Sequence, residues 1–459
     1  MQWRRERNLY SGRGMFGVAA VLWLTVLPAP AAAHGVGGRI DLPVPLGYFL
    51  AGAIVVLVVT FLALLTLWPF PRLQEPLPLR QLRLPGWRFV AAALGVLGLL
   101  AVAIVVLAGV FGADNSVRNP TPVLVWVVLW LVVPFAGAVV GDIYSLLNPW
   151  RSLARWADLG RSSGPAYSPR WGVWPAVALF FAFVWLELIS PDSADPRALA
   201  LVVLALGGVL LVAAHRFGIE AGLEAFDPFG LYNRVLSALS PIDLDPAHSP
   251  SWRGWLRGLP SLAMPAGATA FVVMLIGSVT YDGLSATTWY DTAFGSFGAS
   301  LVGGTLLLVA TLGLLGLVYW LACSAGARLA VSESTGTQVA RRFAHTLIPI
   351  AFAYAFAHYF TLIVFEGQLL LSSLSDPFGR GWNLLGWADR PVDFSVLSPY
   401  AIWWIQVTAI VGGHLGGVLL AHDRALHDFP GVGAGRSQYV MLLLMVALTG
   451  LGLVTLAAS

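Results

Sequence analysis

Ten stretches of about 20 apolar residues run through this chain, each long enough to cross ~30 Å of hydrocarbon as a helix. They lie at about 47–69, 89–111, 122–145, 172–190, 198–215, 262–281, 298–323, 343–366, 399–421 and 438–457. Periodicity within them is weak because nearly every position is apolar, as lipid-facing and buried faces both demand. The expected fold is therefore all-α: a polytopic membrane helical bundle of about ten transmembrane helices. Composition agrees, because 58% of the 459 residues are hydrophobic and 11% are charged, against about 25% charged in soluble proteins. All 26 basic residues are arginine. The absence of lysine excludes a Schiff-base lysine, and the arginines are too dispersed for a nucleic-acid patch. The single cysteine, Cys323, excludes a disulfide framework and a Cys-rich metal site.

Residues 1–33 have the three regions of a secretory signal peptide: Arg4, Arg5, Arg7 and Arg13, an apolar run from Phe16 to Leu27, and the triplet Ala31, Ala32, Ala33. Cleavage after Ala33 leaves residues 34–459 as the polytopic domain, with His34 outside the cytoplasm. Counting arginines tests that orientation. The connections then inside hold Arg72, Arg80, Arg83, Arg88, Arg151, Arg155, Arg161, Arg170, Arg216, Arg234, Arg253, Arg257, Arg328, Arg341, Arg342, Arg424 and Arg436. Those outside hold Arg39, Arg118, Arg197, Arg380 and Arg390. The excess on one side predicts both mature termini outside the cytoplasm. Two connections are long. Residues 216–261, with Trp252 and Trp255, read as an amphipathic segment along the membrane, and 367–398, with Trp382 and Trp387, as a lid over an outward cavity.

An ionisable side chain in the bilayer costs ~2.5 to 3.5 kcal/mol on insertion scales, so each needs a partner, a cavity or a function. An outer group comprises Glu187, Tyr281 with Asp282, His358 with Glu366 and Gln368, and Gln406; an inner group comprises Asp142, Asn148, His345, His414, His422 and Asp423. Tyr354 and His358, four apart, share a helix face. His414 sits among Gly412, Gly413, Gly416 and Gly417, whose four-residue spacing lets a neighbouring helix approach closely. His414 and His422 lie about 80° apart around a helix and can face one cavity.

Several chemistries suit these residues. A divalent metal, zinc or copper, needs converging imidazole and carboxylate ligands; His358, Glu187, Asp282 and Glu366 would supply them on the outer side, or His345, His414 and His422 on the inner. A free N-terminal His34 would grip copper through its amine and ring. Haem is less well served, because His345 with His358, and His414 with His427, are separated by 13 residues and point about 220° apart beyond whole turns. Buried carboxylates and glycine-broken or proline-broken helices also suit a transporter. No serine-hydrolase elbow, phosphate-binding glycine loop or His-Glu-x-x-His motif is present.

The run His34-Gly35-Val36-Gly37-Gly38-Arg39, followed by Asp41-Leu42-Pro43 and Pro45, resembles the start of bacterial membrane proteins described as fenitrothion hydrolase. So do Ile276 to Gly283 with Trp289, His345-Thr346-Leu347-Ile348-Pro349 leading to His358-Tyr359-Phe360, and His414 leading to Ala421-His422-Asp423-Arg424-Ala425-Leu426. The resemblance implies a multi-pass protein of the bacterial inner membrane, linked to hydrolysis of an organophosphate triester; it carries no residue roles. A bound metal would activate water and polarise the phosphoryl oxygen, while an apolar aromatic substrate would reach an intramembrane site through the lipid. The expected centre is the outer group, with His358, Glu187 and Asp282 as ligands or general base and Glu366 near the mouth. The inner histidines are expected to be a structural cluster. Reporter fusions after Arg80 and Ser459 should report cytoplasm and exterior respectively, and the reverse pattern would overturn this topology.

Overall fold

The computed structural model describes residues 45–75, 79–82, 84–161, 166–246, 248–429 and 431–458, all within the unit Arg39–Ser459. The signal peptide expected over 1–33 and its product His34 lie outside the described residues. Each expected apolar stretch is a helix: α1 Leu46–Leu67, α2 Trp87–Phe111, α3 Pro120–Val140, α4 Trp174–Leu188, α5 Pro196–Phe217, α6 Ala268–Ser285, α7 Leu301–Leu329, α8 Ile348–Phe365, α9 Pro399–Asp428 and α10 Val432–Ala458. Nine are long and apolar enough to cross a bilayer, α8 together with the short helices that flank it. The exception, α4, is only 15 residues, about 22 Å at 1.5 Å per residue. The helical form is dictated by the solvent: lipid offers no partner to a backbone N–H or C=O, so the chain must pair its own.

Burial separates rim from centre. In the most apolar window of α1, α2 and α7 only 17% of residues are buried, against 72% in α6. The rim helices expose Val55, Val59, Leu97, Leu100, Leu306 and Leu314. Such a surface is out of place in water and at home in lipid. Around α6 stand α4, α7, α8 and α10, and α9 lies closest to α8.

That closest pair is made by glycine. A Cβ on Gly413 would fall 2.6 Å from the carbonyl oxygen of Pro349 and clash with the Cβ of Ala353; one on Gly417 would fall 2.9 Å from Ile350 and 3.0 Å from the carbonyl oxygen of Thr346. Gly413 and Gly417, four apart, therefore form the strip on which α8 lies. Gly416 is looser, a Cβ there falling 3.3 Å from that of Pro349, and Gly412 faces open space, so Gly413 and Gly417 make the closest contact.

The third helix is not regular. Asn119 caps its first turn by accepting from the N–H of Thr121, and Val123–Val132 then winds as a π-helix before α geometry resumes at Val133–Val140. Pro134 lacks the N–H that an α register would need there. The wider turn presents Trp130 to Phe180, Phe183 and Tyr232, with ring centroids 5.2–5.4 Å apart.

Side-chain contacts fix which connections share a side. On the arginine-rich side, Ser251–Trp252 pairs antiparallel with both Arg80–Gln81 and Ile242–Asp243. Arg151 meets Glu220 at 3.2 Å, and Arg341 donates to the carbonyl of Met264 at 2.6 Å. Asp423 there accepts from the indole of Trp68, the N–H groups of Arg72 and Leu73, and the amide of Gln74, at 2.5–3.1 Å, pinning the segment that follows α1. On the other side, Trp126 donates to the carbonyl of Ser193 at 2.7 Å. Because 141–161 and 166–173 lie on the first side and 189–195 on the second, α4 also runs from one side to the other.

Segment 216–261 departs from the expected amphipathic run. It folds into Ile219–Phe226 and Pro228–Ser237 plus two of the short strands, and only Gly230 and Arg234 of the second helix escape burial. Asp227 caps that helix with Pro228 at its first position, turning the chain back into the bundle beside the end of α3. Trp252 and Trp255 remain exposed.

Gly413→Val should force α8 and α9 apart and lower stability by about 2 kcal/mol, the usual cost of overpacking, whereas Gly412→Val should be nearly neutral. Thermal unfolding of the two variants in detergent tests this, and equal shifts would refute the assigned contact face.

Candidate functional site

Asp282 stands in the last turn of α6, and His358 with Tyr359 in the second half of α8. Both α8 residues reach the same oxygen: His358 Nε2 lies 2.9 Å and the Tyr359 hydroxyl 2.8 Å from Asp282 Oδ2. A carboxylate there fixes the proton on Nε2, so a neutral ring carries its lone pair on Nδ1. That Nδ1 is buried and has no hydrogen-bond partner. Side-chain exposure is 26% for Asp282 and 11% for His358, so the pair is reached from the surface at its carboxylate end. Tyr354, four residues before His358, hydrogen-bonds Thr455 of α10 at 2.7 Å. Gly283 lets Thr455 come close, since a Cβ there would be 3.0 Å away.

Glu187, in the last turn of α4, is the third member. Its carboxyl neighbours Asp282, with the indole of Trp130 and the phenol of Tyr359 facing it, and its Oε2 is buried without a partner. Trp130 Nε1 is likewise unpartnered. Three of the four expected outer residues thus come together. Glu366 does not: it is exposed in the turn Glu366–Gln368, beyond the end of α8. Within the segment expected as a lid, Gln368 exchanges two hydrogen bonds with the backbone of Asp393, closing that segment on itself. Tyr359, Trp130 and Tyr232 escape a search for charged residues because aromatics in apolar runs are ordinary.

The inner histidines go separate ways. His414 Nδ1 faces the carbonyl of Ile410, one turn back on its own helix, at 2.8 Å. His422 spans the side chain of Gln438 and the carbonyl of Trp68, at 2.7 and 2.9 Å. His345 is 3% exposed in the turn Ala344–Leu347. Among the described residues no three His, Cys, Asp or Glu side chains converge as a metal site requires. His345, His414 and His422 each have different partners, and the histidines of each spaced pair, His345 with His358 and His414 with His427, have separate surroundings.

A further polar knot lies on the arginine-rich side. Asn148 and Asp227 cap two helices that each begin with proline, and Asn148 Nδ2 donates to Asp227 Oδ2 at 2.8 Å. Asp227 also accepts from the N–H groups of Phe229 and Gly230 and from the hydroxyl of Tyr144. Burial nevertheless raises the pKa of Asp227 above the usual carboxylate range, and the same cause raises that of Asp142 nearby. The signals in the sequence were the Asn-Pro at 148–149 and Asp-Pro at 227–228, the pattern of a cap followed by proline at the first helical position.

The chain matches no protein-family model, no curated protein and no solved structure.

A carboxyl with a raised pKa binds its proton more tightly folded than unfolded, so its contribution to stability is present at low pH and is lost as pH rises through the raised value. Asp227→Asn removes that titration while keeping the oxygen that caps Phe229 and Gly230; it sets two amide nitrogens face to face at Asn148. The variant should be less stable than wild type in acid, by about 1 kcal/mol for the lost bond, and should lose less stability between acid and neutral pH. Melting temperatures across that range that run parallel for the two proteins would refute it.

Proposed function

We propose that this chain is an integral membrane hydrolase in which Asp282 and His358 activate water against an apolar ester, an organophosphate triester by the resemblance to fenitrothion hydrolase proteins. One observation carries the reading: a carboxylate holds one nitrogen of His358 and leaves the other buried and unpartnered, the arrangement of an oriented general base. Nδ1 takes a proton from water as the oxygen attacks phosphorus. The phosphorus–aryloxide bond then breaks, and the imidazolium returns the proton to the departing aryloxide. Asp282 stabilises the imidazolium, and Tyr359 holds the carboxylate in place. The described residues do not bring three His, Cys, Asp or Glu donors close enough to hold a divalent ion.

An apolar substrate has a place to wait. A cavity of about 460 Å³ between α2, α3 and α5 is lined almost wholly by hydrocarbon, including Leu97, Leu129, Trp150, Phe183 and Leu186. Leu186 and Phe183 bring α4, the helix that carries Glu187, to its wall.

A second reading rests on a different observation. Asp282, Tyr359 and Glu187 form a row of titratable groups from an accessible carboxylate to a buried one, the type of chain that relays protons in transporters.

His358→Gln should lower triester hydrolysis by about 10²-fold or more, the share a general base supplies, in protein that still inserts and melts cooperatively. Metal analysis belongs on the same preparation. Unchanged hydrolysis in His358→Gln would sink the first reading; proton flux into proteoliposomes that disappears in Asp282→Asn, with no hydrolysis in wild type, would establish the second.

A further inference from the structure

On the arginine-rich side a cavity of about 410 Å³ opens between the turn that precedes α8, the end of α9 and residues 260–264. Its polar lining is Arg341, Arg342, Arg424, His345 and Gln338; Leu262 and Met264 contribute an apolar wall. No acidic side chain lines it. Of the nearest carboxylates, Asp428 is a buried counter-ion to two of these arginines, its side chain 5% exposed and pairing with Arg342 at 3.4 Å, Arg424 at 3.2 Å and His427 at 2.9 Å, so one of the three guanidinium charges is offset and an excess of two remains; Asp423 is filled by donors from residues 68–74.

The arginines are held in position by side bonds that leave donors free. Arg341 uses Nε on the carbonyl of Met264. Arg342 uses one terminal nitrogen on Ser334 at 2.9 Å and the other on Asp428 at 3.4 Å; Arg424 uses one terminal nitrogen on Gln74 at 2.8 Å, and its Nε lies 3.2 Å from Asp428. Each terminal nitrogen carries a second N–H. Three fixed guanidinium groups converging on one space suit the oxygens of a phosphate. His345 adds an independent signal. It is buried, it borders the cavity, and its Nε2 has no partner. Its other nitrogen faces the backbone carbonyl of Arg342, so in the neutral ring Nε2 is an acceptor waiting for a donor. A phosphate monoester offers both functions, charged oxygens for arginine and an O–H for the imidazole. Sulfate has no O–H at neutral pH.

We propose that this cavity binds a phosphate monoester, its charged oxygens on Arg341, Arg342 and Arg424 and its P–O–H donated to Nε2 of His345. The volume exceeds what a bare phosphate fills and lies in the range of small-molecule pockets, and the Leu262 and Met264 wall faces the organic part. Two sources share this chemistry, a soluble phosphate monoester and the monoester headgroup of phosphatidic acid. The site is separate from the Asp282 cluster and does not depend on it.

The test uses the full chain. Melting temperature is followed in detergent against glycerol 3-phosphate and against sodium sulfate at equal ionic strength, and in nanodiscs of phosphatidylcholine with or without phosphatidic acid. Glycerol 3-phosphate should raise the melting temperature saturably and sulfate should not; a response confined to phosphatidic acid nanodiscs would assign the lipid source instead. Arg341→Ala, on the exposed rim, should melt slightly below wild type without ligand, through loss of its bond to Met264, and bind about tenfold more weakly or worse, the worth of one charge-assisted hydrogen bond. His345→Gln should remove the preference over sulfate. No response to either monoester, an equal response to sulfate, or undiminished binding in both Arg341→Ala and Arg424→Ala would overturn the proposal.

Discussion

The closeness of α8 to α9 sets the rest of the bundle. Without side chains at Gly413 and Gly417, α9 lies against the backbone at Thr346 and Pro349, and α8 is held where its second half meets α6. That placement lets two successive residues of α8 converge on one carboxylate oxygen. Side chains at successive helical positions diverge by about 100°, so His358 and Tyr359 reach Asp282 Oδ2 from different directions and clamp it between them. In lipid the hydrophobic effect gives little drive for one helix to seek another, and close packing with a few polar bonds takes its place. The glycine strip supplies the packing, and bonds such as Gln406 to the carbonyl of Ala357, at 2.8 Å, supply the polar part.

Polar groups on the arginine-rich side work differently, because there they bind irregular backbone. Asp423 satisfies four donors from the segment after α1, and Asn148 and Asp227 satisfy the first N–H groups of two helices while bonding each other. An irregular segment near hydrocarbon leaves N–H groups that water does not reach, and each would cost about 1–3 kcal/mol unpaired. A single carboxylate accepting several of them is an economical way to bring a turn against the bundle. This also explains why Asp423, deep at the end of a long apolar helix and 0% exposed, is tolerated there.

The helices were legible in the sequence because membrane solvent imposes length and apolarity together, and every apolar stretch became one. Sides were legible through arginine, which collects on the connections that the strands and Asp423 join. Of the outer residues, Glu187, Asp282 and His358 were legible because a charge in an apolar run stands out. Glu366 stood out equally, yet it begins a new turn beyond α8 and projects away; sequence depth does not tell direction. Spacing misled on the inner side, where His414 and His422 are suitably separated on α9 but turn to different neighbours, one to its own helix and one to α10 and Trp68. The buried helix Pro228–Ser237 was hidden by its mixed composition, and only its Asp-Pro start marked it.

Satisfaction of hydrogen bonds separates the structural polar groups from those left open for chemistry. Asp423, Asp227, His422 and Asn119 have their acceptors and donors matched by the protein, and their burial is accounted for by the turns and helix ends they hold. His358, Glu187 and His345 each keep one buried atom unmatched, a standing cost that folding alone does not explain. His414 shares that defect, but it lies against the glycine strip and borders neither the Asp282 cluster nor the arginine-lined cavity. In the other three the open atom has a neighbour that gives it meaning: the imidazole of His358 is oriented by a carboxylate, Glu187 lies beside that same carboxylate, and His345 borders a space surrounded by guanidinium groups. A buried polar atom without a partner is therefore informative in this protein only where a second feature, an oriented neighbour or a charged cavity, indicates what would complete it.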